Sequence, residues 1–390
     1  MILELHVLQN IAPANLNRDD TGSPKDAIFG GYRRARVSSQ AWKRAIRNSF
    51  DQDCLLPKDQ LAIRTKRAVD GIATRLVKQG NPEDTAIRVA VSLLEGLGLK
   101  TEPDKAGEEL TQYLLYLGTA ELNHLAELAD QHWDLLAAAV EKTKGATGRS
   151  KKDAKADVPE EVKKATLAIL DGGKAADLAL FGRMLADLPG KNIDGAAQVA
   201  HAISTHAVEF EFDFYTAVDD LNTEEETGAG MMGTVEYNSA TFYRYTNVDI
   251  SQLSKNLNGD QELIDSTIRA YAEAFLTALP TGKQNSFAAQ NPPSFAVAIV
   301  RDKGRWSLAN AFVEPVATRK GDLVGTSIAS LTDYWGRLSG MYGEGGIHAT
   351  PVLVDPAYQA AATGFDAPSS GMTGWLDDIS ASLAQANGRS

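Results

Sequence analysis

Cysteine is nearly missing from this chain: Cys54 is the only one in 390 residues. One thiol builds no disulfide framework, and it excludes any zinc site that needs several thiolates. A lone cysteine also fits a reducing compartment. Long apolar runs are missing too, since none approaches the roughly 20 residues that span a bilayer. The opening MILELHVLQN carries neither a basic flank nor an extended apolar core, so it does not read as a secretory signal. These absences describe a soluble protein of the cytoplasm that makes no membrane contact. No HExxH motif occurs, and His201 and His206 stand five apart, not at the i, i+4 spacing of a helical zinc pair. They default, like His6, His124, His132 and His348, to core or surface positions. G-x-S-x-G, Walker and kinase motifs are absent as well. One literal G-x-G-x-x-G exists, GAGMMG at 228–233, but a flexible acidic run precedes it and a strand-like segment comes after it. Dinucleotide binding needs the opposite context, strand before and helix after. The stretch reads as a loop tip, with Met231 and Met232 exposed or packed on a partner. By motif the chain is a binder and not an enzyme, with no metal or cofactor required.

What is present is a charge contrast. Hydrophobic content of 43% and charged content of 23% are ordinary for a globular protein, and the formal net charge is -12. Yet Arg18, Lys25, Arg33, Arg34, Arg36, Lys43, Arg44 and Arg47 crowd into thirty residues, opposed only by Asp19, Asp20 and Asp26. A basic segment in an acidic chain points to a polyanion met by one face. Charge alone is equally consistent with a solvated basic patch. Position adds to the case. Ser38 or Ser39 caps a helix running to about Phe50, because either hydroxyl can accept from an early backbone N–H. Gln40, Lys43, Arg44 and Arg47 recur at i, i+3, i+4 and i+7 and so share a face, while Trp42 and Ile46 form a buried stripe. The helix start offers amide donors and the positive dipole end to an anion. Gly30 and Gly31, just ahead of the arginines, suit either a turn or a close approach of backbone to ligand. Hydroxyls, an amide and cations on successive turns match a run of phosphates. Asp19 and Asp20 raise one rival chemistry, a metal held beside a phosphodiester in an endoribonuclease, although no second carboxylate cluster completes a two-metal site.

The order of elements sets the fold class. Residues 2–9 read as a first strand and 10–34 as loop with short extended pieces. Residues 59–188 are helix-like almost throughout, broken by a Gly- and Lys-rich loop at 144–161. GAAQVAHAISTHAV reads as helix, EFEFDFYTAVDDL and TVEYNSATFYRYTNVDI as strands, about 260–279 as helix, Phe295–Arg301 as strand and 326–340 as helix. The Ser/Gly/Asn-rich tail after about Pro368 is expected to fray at its end. Strands at both ends around a helical block indicate an α+β core with an inserted helical subdomain, not a βαβ series.

LNRDDTGSPKDAIFGGYRRARVSSQAWKRAIR resembles the N-terminal signature of the CasC family, the backbone of the type I-E CRISPR surveillance complex Cascade. GRM at 182–184, DGAAQVAHAISTHAVEFEFDFYTAVDDL, SATFYRYTNVDISQL, PTGKQNSFAAQNP and LANAF extend the resemblance over about 1–340. It implies a right-hand-like α+β fold: an RRM-like (ferredoxin-like) palm, inserted helical fingers and a β-hairpin thumb. The implied divisions are palm 1–58, fingers 59–193, palm helix and thumb hairpin 194–238, and palm 239–390. It also implies copies of the chain stacked along a CRISPR RNA (crRNA), displacing bases at intervals and presenting the guide to target DNA. Other implied partners are the large, small, 5′-end and crRNA-processing subunits. Basic segment and resemblance together assign RNA contacts to Asn17, Arg18, Lys25, Gly30, Gly31, Arg33, Arg34, Arg36, Ser38, Ser39, Gln40, Lys43, Arg44 and Arg47. Met184, Tyr215 and Thr216 match the positions that interrupt base stacking. Lys144, Lys151, Lys152 and Lys155 are candidates for target DNA. Reading sequence by base pairing would leave the protein to grip the backbone alone.

Overall fold

The computed structural model describes residues 1–144, 158–217, 231–317 and 321–388. The chain divides into two compact units, one of Met1–Leu55, Ala197–Ile250 and Ile268–Ser390, the other of Leu56–Ala196 and Ser251–Thr267.

In the first unit β1 (Ile2–Ala14) is the buried centre of an antiparallel sheet. β2 (Asp26–Phe29) and β3 (Tyr32–Val37) make a hairpin whose turn is Gly30-Gly31, at φ of 62° and 86°. Only glycine takes both positive φ values cheaply, which is the geometry a two-residue hairpin turn requires. A Cβ on Gly30 would stand 2.1 Å from the Val313 carbonyl oxygen, so the close approach made here is to the protein's own backbone. Helix α1 (Ser39–Gln52) comes next, with Ser38 Oγ accepting from the Ala41 amide at 3.3 Å. Its Trp42, Ile46, Ser49 and Phe50 are buried, and each large apolar side chain so removed from water contributes about 1.5–3 kcal/mol. The Arg244 guanidinium stacks on Trp42, 3.7 Å from the ring centroid. That anchoring fixes which face of α1 is left outward.

The second unit opens with β4 (Ala62–Thr65), α2 (Ala68–Lys78) and α3 (Glu83–Gly96). Then come β5 (Thr101–Pro103), β6 (Glu109–Thr111), β7 (Leu115–Gly118), α4 (Thr119–Gln131), α5 (Trp133–Lys144), α6 (Glu160–Ile169) and α7 (Ala176–Phe181). The apolar stripes of these helices meet in one cluster that includes Ile72, Leu76, Val89, Leu93, Leu122 and Leu125. The expectation of helix almost throughout needs correcting: β4 pairs with β7 and β5 with β6 as two antiparallel ribbons.

Back in the first unit, β8 (Ala197–Val199) and β9 (Ala202–Ser204) replace the helix expected over GAAQVAHAISTHAV, and with it the expected palm helix. Alanines tolerate helix, but both segments pair with the same long strand, and that tertiary pairing overrides local propensity. β10 (Glu211–Ala217) and β11 (Met231–Asp249) form a hairpin arm. β11 then continues beside β1, from Asn238 opposite Ala14 to Asp249 opposite Ile2. From Ser251 on, α8 (Ile250–Asn256) belongs to the second unit, as does α9 (Gln261–Thr277) up to Thr267; after them and α10 (Gln284–Phe287), β12 (Phe295–Arg301) pairs on β1's other edge. Helix α11 (Leu323–Tyr342) covers one sheet face: Ile328, Leu331 and Trp335 pack on Leu8, Tyr243, Phe295 and Val297. β13 (Ile347–Ala349) and β14 (Val352–Val354) close the edge against β12. The tail carries an element the sequence reading did not name, α12 (Gly371–Ala386), which buries Trp375, Leu376, Ile379 and Leu383. The class is thus mixed helix and antiparallel sheet. Among the described residues no helix is long and apolar enough to cross a membrane.

Candidate nucleic-acid interface

The outward face of α1 borders an open cleft of about 790 Å³. Gln40, Arg44 and Asn48 line one wall, Asn17 to Gly22 with Lys25 line another, and Pro280, Thr281 and Gly282 close it. The walls are held by hydrogen bonds from backbone amides. Asn17 Oδ1 accepts from the Ser38 amide at 2.8 Å, and the Lys25 amide donates to Asn17 O at 2.9 Å. A Cβ on Gly282 would stand 2.2 Å from Leu16 O, so this loop packs backbone to backbone on the β1 extension. The cleft can therefore offer Arg18, Lys25, Gln40, Arg44 and Asn48 to an extended anion without rearranging its walls.

The sequence candidates part company here. Arg18, Lys25, Ser38, Gln40, Arg44 and Asn17 come together at the cleft. Lys43 and Arg47 share the helix face but lie outside the lining, half-buried, and burial pushes the Lys43 ammonium pKa down. Arg33 is exposed, pairs with the Asp26 carboxylate and lies 4.3 Å from the Phe210 ring centroid. Arg36 is half-buried, with Nε donating to Asp26 O at 2.9 Å. Arg34 corrects the expectation outright. It is 0% exposed, and its guanidinium donates to the carbonyls of Ser204, Thr205, Phe312 and Val313 at 2.6–3.2 Å. No phosphate reaches a group so enclosed. Gly30 and Gly31 likewise serve the hairpin turn. The Ser39 amide is taken by His201 Nδ1 at 3.0 Å.

Asp19 is committed to its own loop, its Oδ1 accepting from the Thr21 amide and hydroxyl and from the Ser23 amide at 2.8–3.0 Å. The Thr21 hydroxyl leads the interactions that hold this carboxyl below its ordinary pKa. Among the described residues no three His, Cys, Asp or Glu groups converge as metal ligands.

Three further candidates lie outside the cleft lining. Met184 is 79% exposed, while its neighbour Arg183 is buried against Glu121, Nη1 donating to both carboxylate oxygens at 2.8 Å. On the hairpin arm Tyr215 lies opposite Gly233 and Thr216 opposite Met232, and Phe212, Phe214 and Met232 are all more than half exposed. Strand β11 begins at Met231, so GAGMMG has no helix to complete a dinucleotide site. Lys151, Lys152 and Lys155 lie outside the described residues; Lys144 ends α5.

Residues 3–372 match the family model whose description is CT1975-like protein. The chain belongs to the CT1975-like family. Its structural likenesses extend over nearly the whole chain. A chain of a "CRISPR RNA-guided surveillance complex, pre-nicking" is 32% identical with a TM-score of 0.85, covering 98% of this chain and 99% of that one. A chain of a "CRISPR RNA-guided surveillance complex" is 27% identical at 0.74, with the same coverage. None of the curated proteins is similar to the chain. For this CT1975-like chain, sequence reasoning missed Asn48 and Thr281, which line the cleft. Asn48 was within reach of the helical period, four residues beyond Arg44. Thr281 belongs to a loop whose place against the cleft no local pattern encodes.

Proposed function

We propose that this CT1975-like protein is a non-catalytic, RNA-binding backbone subunit of a Cascade-type surveillance complex, of type I-E, acting in the cytoplasm in antiviral defence. Several copies assemble along a crRNA and hold its sugar-phosphate backbone in the α1 cleft. They displace bases at intervals and leave the rest to pair with target DNA. In this reading the sheet is an RRM-like palm (1–58 and 239–390), the block at 59–193 is the fingers, and the arm around 205–238 is the thumb. Met184, Tyr215 and Thr216 interrupt stacking, and the large, small, 5′-end and crRNA-processing subunits complete the assembly. The observation that carries the proposal is the end-to-end likeness to a surveillance-complex chain at a TM-score of 0.85. The cleft supports it: side chains that suit phosphates and carry no base information line an open channel.

The test is to co-express the chain with a crRNA and its partner subunits and to purify the assembly by size. Assembled fractions should contain RNA and several copies of the chain, and Lys25→Glu with Arg44→Glu should abolish assembly while leaving the monomer folded. An RNA-free monomer under the same conditions would defeat the proposal. Magnesium-dependent RNA cleavage lost on Asp20→Ala would overturn its non-catalytic part.

A further inference from the structure

His201 stands between β8 and β9, where the sheet pins the backbone on both sides. The Ala200 amide donates to Tyr245 O at 2.9 Å, and Ala202 is in register with Val37 of β3. One step further along that register places His201 beside Ser38, at the start of α1. There its Nδ1 accepts from the Ser39 amide at 3.0 Å. A ring nitrogen that accepts holds no proton, so the neutral imidazole carries its proton on Nε2. The residue is exposed. Lys25 and Arg36 lie close enough to oppose its protonation, after the larger effect of desolvation, and so favour the neutral ring. Lys25 and Ser38, the latter His201's neighbour in the register, both line the cleft, and His201 lies just outside that lining.

We infer that His201 is a further RNA-contact residue with two separate tasks, its Nδ1 holding the first turn of α1 and its Nε2–H donating to a phosphate oxygen beside Lys25 and Arg36. This rests on the RNA-binding reading above. An uncharged donor suits the place, because it adds a directional bond without adding repulsion between the two cations. It also explains why a histidine serves where a serine or asparagine could cap the helix alone.

Two substitutions separate the tasks. His201→Asn keeps an acceptor near the Nδ1 position and loses the distal donor, whereas His201→Gln keeps a donor near Nε2 and loses the near acceptor. Both full-length variants and the native chain are titrated with a fluorescently labelled single-stranded RNA of mixed sequence, and their melting temperatures are compared. His201→Asn should melt like the native chain and bind RNA about tenfold to a hundredfold more weakly, the worth of one hydrogen bond to a charged group. Its salt dependence should be unchanged, since no cation is lost. His201→Gln should melt lower and bind more tightly than His201→Asn. Native-like binding by His201→Asn, or affinity that simply tracks melting temperature in both variants, overturns the inference and leaves the RNA-binding reading standing. Failure of the native chain itself to bind the RNA overturns both.

Discussion

Arg34 and Arg44 look alike in sequence and do opposite things. Arg34 replaces its water shell with four backbone carbonyls from two separate chain segments, which makes it a cross-link inside the sheet. Arg34→Met should therefore cost at least about 3 kcal/mol in urea unfolding, because it strands buried acceptors. Arg44→Met should stay within about 0.5 kcal/mol of native stability. A local charge count sees eight cations and cannot tell which of them the fold consumes. His6 gives a second residue-scale outcome. Burial first, and then the charge of Arg301, lower its pKa from 6.5 to about 3. Between those values the unfolded chain binds a proton that the folded chain refuses. Stability is therefore complete above pH 6.5 and declines as pH falls toward 3, by on the order of 5 kcal/mol if the whole displacement is expressed. In His6→Phe, which removes the titration, unfolding free energy measured from pH 7 to pH 4 should fall less steeply. An equal slope in both proteins would assign the acid sensitivity to other groups.

At the scale of elements, legibility tracked how local each pattern is. α1 was readable because its cap, its period and its buried stripe lie within a single short helix. β10 was readable from strict alternation, and β12 from an unbroken apolar run buried along its whole length. β8 and β9 were not, because three-residue strands have no period of their own and exist only by pairing with β11. The same holds for the ribbons among the helices of the second unit. α12 was hidden by its glycines and serines, although Trp375, Leu376, Ile379 and Leu383 recur at helical spacing. Because those four side chains are buried, truncation after Ser370 should remove several kcal/mol and give an aggregating or unfolded product. A truncated chain with native circular dichroism and melting temperature would show that α12 is dispensable. The candidate site was half legible: its helix wall could be read from α1, while the Pro280–Gly282 wall comes from the far side of the sequence.

Over the whole molecule, an acidic chain carries a channel where Arg18, Lys25 and Arg44 converge. Arg34 is spent on the core and Arg33 on Asp26, so the cationic surface is narrower than the sequence suggests. A narrow strip of charge suits a single strand tracked along its backbone, and the acidic remainder disfavours polyanions elsewhere. The most direct measurement is the salt dependence of single-stranded RNA affinity, for the native chain and for Arg18→Gln/Lys25→Gln/Arg44→Gln. If these three cations neutralise phosphates, the variant binds more weakly and its log–log salt slope is shallower by about 2, roughly 0.7 for each lost contact. Equal affinity and equal slope in a folded variant would mean that the RNA lies somewhere else.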